Sequence, residues 1–175
     1  MNADVTATGR REIRDGVPYV VLERTFTAPV AAVWAAITEP GRLERWVGTW
    51  DGDPTDGFVD FRMTAEGEDA APEQMSILDC EPPNRLVVES KSPDPEGGPD
   101  DVWRLELDLT EADGTTTLTF AQGLPRPEMA ENVGPGWEYY LDRLVAAESG
   151  SGVGTVDWDA YYPALSAPYA QMFAG

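Results

Sequence analysis

The sequence predicts an α+β fold in which helices gather on one face of an antiparallel sheet. Three observations carry that prediction. Val133, Trp137, Tyr140, Leu141 and Leu144 recur at three- and four-residue steps, the mark of an amphipathic helix through Gly134 to Ala147. Glu138, Asp142 and Arg143 fall on its opposite side. From Gly57 to Phe120 the apolar period is two, as in strands with one buried face. The order strand, short helices, strands, long helix leaves that run of strands as the only large apolar partner for the long helix.

Taken in order, residues 10 to 27 hold two short extended runs around Asp15-Gly16, a dipeptide that favours a tight hairpin turn. In the next stretch Pro29 suits a first helical position. Val30, Val33, Trp34 and Ile37 follow at i, i+3, i+4 and i+7, giving a short amphipathic helix. Glu39-Pro40-Gly41 breaks it, and Leu43, Trp46 and Val47 predict one or two further turns before a loop from Gly48 to Gly57. Val59, Phe61 and Met63 then alternate with polar residues, as do Met75 and Ile77, Leu86 and Val88, Trp103 to Leu109, and Leu118 and Phe120. Punctuation at Glu66-Gly67, Pro82-Pro83-Asn84, Pro93 to Pro99 and Asp113-Gly114 divides them into five strands, six or seven with the N-terminal pair.

The long helix is expected to start with Pro135 at its first position, where a missing N–H is harmless, and to stop at Gly150. Beyond a Ser/Gly-rich linker, Trp158, Tyr161, Tyr162 and Leu165 have helical spacing, but Pro163 and Pro168 limit the helix to fragments. With Tyr169 and Phe173 these are too many apolar groups for a free end. The expected organisation is one domain over residues 10–149 and an extension over 150–175 that packs on the domain or on a partner.

Composition narrows the function. A chain of 175 residues with 42% hydrophobic residues is long enough to bury a core. Twelve Lys and Arg against 32 Asp and Glu leave a formal charge of −20, which repels phosphate backbones and anionic lipid surfaces and argues against nucleic-acid and membrane partners. The acids cluster in the expected loops at Asp51 to Asp56, Glu66 to Glu73 and Asp94 to Asp101, and act as solubilising charge. No stretch approaches a membrane span, and MNADVTATGRREIRDG lacks the apolar core of a signal peptide, so the expected location is cytoplasmic. One cysteine and no histidine exclude an internal disulfide, a Ser-His or Cys-His pair and a His-based metal site. DGDPTDG from Asp51 to Gly57 fails as a calcium loop, because Asp56 stands where the turn glycine belongs and Arg62 where the bidentate acid belongs. No metal and no cofactor are expected.

Ala28-Pro29 with Val33-Trp34, Thr38-Glu39-Pro40, Leu43 and Trp46, Glu81-Pro82-Pro83-Asn84-Arg85-Leu86, and Gly136-Trp137 with Leu141 and Leu144 stand in a recognisable order. In these residues the chain resembles the SRPBCC, or START-like, superfamily with the birch-pollen-allergen helix-grip fold. Within it, the resemblance is to bacterial proteins similar to the C-terminal domain of the activator of heat shock protein 90 ATPase. It spans residues 18 to 149 and leaves the C-terminal extension uncovered. It implies a curved antiparallel sheet gripping a C-terminal helix, with a cavity between them that in many members binds an apolar small molecule.

Candidate residues for the wall of such a cavity are Trp46, Trp50, Phe61, Met63, Met75 and Trp103, with Phe120, Trp137, Tyr140, Leu141 and Leu144 from the last strand and helix. The same side chains serve equally as core packing. Cys80, between Asp79 and Glu81, is read as a small core or strand residue whose thiolate those charges disfavour. Glu23, Arg24, Glu138 and Tyr140 are candidates for acid–base work only because they neighbour the expected cavity. Three functions follow: binding of an apolar small molecule without cofactor, a polyketide cyclase-like or other lyase or hydrolase activity in the same cavity, or a co-chaperone-like interaction module. Monomer and homodimer both remain open.

Overall fold

The computed structural model describes residues 5–67, 72–91 and 102–174. The Pro93 to Pro99 turn, the acidic run Asp94 to Asp101 and residues 68–71 of the Glu66 to Glu73 run lie outside the described residues. Eight strands form one antiparallel, unclosed sheet: β1 (Arg10–Arg14), β2 (Val17–Phe26), β3 (Thr49–Asp51), β4 (Phe58–Arg62), β5 (Glu73–Glu81), β6 (Arg85–Lys91), β7 (Val102–Ala112) and β8 (Thr115–Gly123). The count exceeds the expected six or seven because β3, only three residues long, is too short to show an alternation.

The spatial order is β1-β2-β8-β7-β6-β5-β4-β3, so every neighbour but one is joined by a direct connection. The exception is β2 with β8, which brings residues 19–26 against residues 116–123. Asp15-Gly16 and Asp113-Gly114 close their hairpins with positive φ at both residues, 52° and 81° in the first and 54° and 78° in the second. That is the mirror-image turn whose twist suits flanking strands.

Two helices fill the connection from β2 to β3: α1 (Val30–Thr38) and α2 (Pro40–Leu43). Pro29 caps α1 from outside rather than beginning it, and has no side-chain acceptor for the exposed N–H groups. A carboxylate from β7 does that instead, with Glu111 Oε1 accepting from the Val30 N–H at 2.6 Å. Pro40 does not merely break α1; it occupies the first turn of α2, where its missing donor is tolerated.

The long helix α3 spans Ala130–Ser149, following a 3-10 turn at Pro127–Met129, and Gly150 ends it in the left-handed region with φ 83°. It therefore begins five residues before the expected start at Pro135, which sits inside it. A proline there usually clashes through its ring with the preceding Cβ, but the preceding residue is Gly134, which has none. The expected polar face also needs correction. Glu138 is 1% exposed, and Arg143 turns inward to donate from Nε to the Trp46 carbonyl at 2.9 Å.

The C-terminal extension continues over α3. Helix α4 (Ser166–Phe173) and the turn before it bury Tyr161, Leu165, Tyr169 and Phe173 in the same core as Leu22, Phe120, Leu141 and Leu144. Trp158 and Tyr162 stay exposed and stack on each other, their ring centroids 5.5 Å apart. Tyr169 is wholly buried because two glycines make room for it. A Cβ on Gly134 would lie 2.4 Å from its ring and one on Gly9 would lie 2.5 Å from its hydroxyl.

Candidate functional site

Between the sheet and the α1–α2 segment lies an apolar cavity of about 600 Å³. The period-two alternation supplies its floor. Leu86, Val88 and Ser90 on β6 pair with Leu107, Leu105 and Trp103 on β7, and all six face the cavity. On the next strands Val59 pairs with Met75 and Phe61 with Glu73, again facing inward, with Met63 just beyond β4. Along β5 the inward side chains are Glu73, Met75 and Ile77, then Cys80. The change of parity has a visible cause. A bulge between Ile77 and Asp79 shifts the register and leaves Leu78 exposed, so that Cys80 pairs with Leu86 on the cavity side. Cys80 is thus a strand residue as expected, but at the cavity rim and exposed rather than in the core. Burial first, then the charge of Asp79, pushes its thiol pKa up.

The opposite wall comes from Trp34, Ile37 and Thr38 of α1, Leu43 of α2, then Trp46, Val47 and Trp50, with Phe120 and Trp137 closing one end. Three of the indoles have their polar edge tied to protein. Trp46 Nε1 donates to the Ala36 carbonyl at 3.0 Å, Trp50 Nε1 to the Thr38 carbonyl at 2.7 Å, and Trp137 Nε1 to Gln122 Oε1 at 2.5 Å. The Thr38 hydroxyl is likewise engaged, donating to the Trp34 carbonyl at 2.7 Å, and the Trp103 Nε1 is buried with no partner among the described residues. Apart from the Trp103 N–H, what these indoles and Thr38 offer the cavity is carbon. At the rim, Pro54, Cys80 and Pro82 are exposed, so the space reaches solvent.

Eight of the expected wall residues, Trp46, Trp50, Phe61, Met63, Met75, Trp103, Phe120 and Trp137, meet around this space. Tyr140, Leu141 and Leu144 do not. Leu141 and Leu144 are wholly buried in the packed core, and Tyr140 is half-buried with its ring 5.9 Å from Trp137. They share the apolar stripe of α3, but only the Trp137 end of that stripe overhangs the cavity. Leu86, Val88, Leu105 and Leu107 were legible as alternating residues, and their parity carried the signal. For Cys80 there was none, because the bulge appears only in the pairing.

The polar candidates also lie elsewhere. Glu23 is exposed and pairs with Arg10 at 2.8 Å. Arg24 and Glu138 form an ion pair at 2.8 Å with side chains 11% and 1% exposed, and Arg24 also meets Asp142 at 2.9 Å. Burial acts against the Arg24 charge, but hydrogen bonding and attraction from Glu138 and Asp142 outweigh it and hold the guanidinium above its ordinary pKa. Both terminal segments seal this cluster. The Thr8 N–H donates to Glu138 Oε2 at 2.6 Å, the Tyr161 hydroxyl to Asp142 Oδ2 at 2.6 Å, and the Gly9 N–H to the Tyr169 hydroxyl at 3.1 Å. None of these groups is on the wall of the apolar cavity; Thr8, Glu23, Arg24, Glu138 and Asp142 instead line a separate, open depression in which the buried Arg24–Glu138 pair is held by its hydrogen-bond partners. Among the described residues, no three of His, Cys, Asp and Glu come together to hold a metal ion, and no helix is long and apolar enough to cross a membrane.

An open antiparallel sheet wrapped around a long C-terminal helix, with a cavity under the two short helices, defines a helix-grip protein. Residues 27–148 match the family described as Activator of Hsp90 ATPase homolog 1-like protein, and the chain belongs to that family. No curated protein matches the sequence. Among solved structures it is similar to CalU16 from Micromonospora echinospora, at 26% identity and a TM-score of 0.71 over 95% of this chain and 96% of that one. A protein from Arthrobacter aurescens has 23% identity and a TM-score of 0.64, over 80% and 91%. DynU16, of the dynemicin biosynthetic locus, has 22% identity and a TM-score of 0.58, with 83% of this chain covering 50% of that one. The last two likenesses are of fold.

Proposed function

We propose that this protein binds an apolar small molecule, without a cofactor, in the cavity between the sheet, the α1–α2 segment and the Trp137 end of α3. The observation that carries this is the cavity's size set against its lining. At ~24 cal/mol per Å³, an empty sealed void of this volume would cost on the order of 14 kcal/mol, as much as the whole stability of an ordinary domain. Such a space is sustained only if it opens to solvent or is filled, and an apolar wall gains most when a ligand displaces the water. Binding is favoured over acid–base catalysis because Arg24, Glu138, Glu23 and Tyr140 are not on the wall. A cyclase needs a cation or phenol to polarise a carbonyl beside a base. Among the described residues Glu73 is the one carboxylate on the wall, and no arginine or tyrosine accompanies it there.

The test is native mass spectrometry of protein purified without added ligand, with titration of a fluorescent apolar probe into the parent and into Val88→Phe. Val88 lies on the floor opposite Leu105, so the larger ring takes up cavity volume rather than core volume. The expected result is probe binding to the parent and at least about tenfold weaker binding to a variant of unchanged melting temperature. No co-purified mass together with no probe binding, or equal binding to both proteins, would show that the cavity is not a ligand site.

A further inference from the structure

Resting on that reading, we infer that the ligand carries a carbonyl or similar oxygen acceptor on its apolar body, and that the Trp103 N–H is the group that recognises it. Elsewhere the wall satisfies its own donors. Trp46 and Trp50 give their N–H groups to the Ala36 and Thr38 carbonyls, and Trp137 gives its own to Gln122 Oε1. Trp103 stands in the same wall, but its Nε1 is buried with no partner among the described residues. A buried donor without an acceptor has given up water and received nothing in return. Such groups are few in folded proteins, and each calls for a reason.

The place of this donor in the sheet supplies one. Trp103 has the inward parity of Leu105 and Leu107 on β7, and directly opposite it on β6 is Ser90, buried and also on the wall. A second unpaired donor belongs to the same face. Gln122 of β8 pairs with Leu105, two residues along β7 from Trp103, so the two side chains are diagonal neighbours whose backbone origins are roughly 7–8 Å apart. Gln122 is wholly buried; its Oε1 is taken by Trp137, and its Nε2 has no partner among the described residues. Gln122 does not border the cavity, so it is not the group that touches the ligand. It shows that this end of the cavity lacks an acceptor twice over. The other unpartnered buried oxygens, Glu148 Oε1 and Ser166 Oγ, belong to the last turn of α3 and to α4. An oxygen reaching Trp103 meets a donor that has no water left to lose, whereas a plain hydrocarbon leaves that donor as unsatisfied as before. A site holding an unpaired polar group discriminates in this way against the analogue without the matching atom.

The experiment compares fluorene with fluorenone, two compounds with the same ring frame that differ by a carbonyl oxygen, in competition with the apolar probe on the parent and on Trp103→Phe. Water solvates the ketone better, so an apolar wall by itself favours fluorene. The parent is expected to reverse that order and bind fluorenone about three- to tenfold more tightly, the range of one hydrogen bond. Trp103→Phe keeps a ring and removes the donor, and should bind fluorene the more tightly of the two. The quantity read is the ratio, in which the loss of indole area, felt by both compounds, cancels. The infrared band of the bound fluorenone carbonyl is a second measurement on the parent alone, and it should lie at lower frequency than in a hydrocarbon solvent. If Trp103→Phe fails to fold, the parent ratio and the carbonyl band still decide. A parent that binds fluorene as tightly as fluorenone, a preference that survives in Trp103→Phe, or a carbonyl band at its hydrocarbon position would overturn the inference and leave the ligand-binding function standing. The same holds if the apolar probe binds and neither compound does. If the probe does not bind either, the function itself falls.

Discussion

Replacing Gly134 by alanine sets helix propensity against a tertiary contact. In an isolated helix the change is stabilising by about 1 kcal/mol, since glycine loses more backbone freedom than alanine. Here the added Cβ would stand 2.4 Å from Cγ of Tyr169 and 2.5 Å from both Cδ atoms. Carbon atoms rest about 3.5–4.0 Å apart, so the ring must withdraw by roughly 1 Å. Those atoms are the root of the ring and cannot swing aside alone; α4 must move with them. The 3.1 Å bond from the Gly9 N–H to the Tyr169 hydroxyl is then lost. Overpacking at about 1–3 kcal/mol and a lost hydrogen bond at about 1 kcal/mol outweigh the propensity gain of about 1 kcal/mol, leaving a net loss of about 1–3 kcal/mol. Urea unfolding followed by circular dichroism would read this as a lower midpoint at unchanged slope. The control is the same substitution in a Tyr169→Ala background, where the contact with the ring is gone and only the propensity gain and the opposing clash of the new Cβ with Pro135 remain, so that Gly134→Ala should cost clearly less than in the parent. A smaller loss in the second background is the expected outcome. If Gly134→Ala stabilises both backgrounds alike, the packing of the C-terminal extension described above is wrong.

Further outcomes follow from other contacts. Trp137→Phe keeps a ring at the cavity's end but leaves Gln122, wholly buried and with its Nε2 already unpartnered among the described residues, without a donor for Oε1. The loss should be about 1–3 kcal/mol, and adding Gln122→Leu should recover most of it; a double variant as weak as the sum of the singles would contradict this. Burial works against the charge of Glu106, but hydrogen bonds from Arg85 and Tyr19 and the charges of Arg14 and Arg104 outweigh it and hold its carboxyl below the usual range. A depressed folded pKa means stability that is present above the unfolded value near 4.5 and lost as pH falls below it, so Glu106→Gln should flatten the acid side of a melting-temperature profile. An unchanged acid slope would count against the outer-face network. Cys80 at the cavity rim should react slowly with a thiol reagent at neutral pH and more slowly still when the apolar probe is bound. Equal rates with and without bound probe would place that probe elsewhere.

Much of this molecule was legible before any coordinate. Period-two alternation at Val59 to Met63, Leu86 to Val88 and Trp103 to Leu109 identified strands, because a strand with one buried face must alternate. Positive-φ dipeptides placed two hairpins, and Gly150 placed the end of α3. Each of these is a local demand of the chain, so local sequence carries it.

What only the tertiary structure decided has a common character. The start of α3 at Ala130 and the tolerance of Pro135 depend on Gly134, which Tyr169 needs as well, from 35 residues away in the chain. Glu138 reads as a solvent-facing acid by helical spacing, yet Arg24 of β2 and Thr8 draw it inside. The bulge at Leu78 decides that Cys80 rather than Asp79 faces the cavity. Of the apolar face of α3, Trp137 borders open space while Leu141 and Leu144 fill the core. Hydropathy reports only that a side chain leaves water; whether it meets another side chain or an unfilled volume depends on how distant segments are brought together, and that is not written in any window of the sequence.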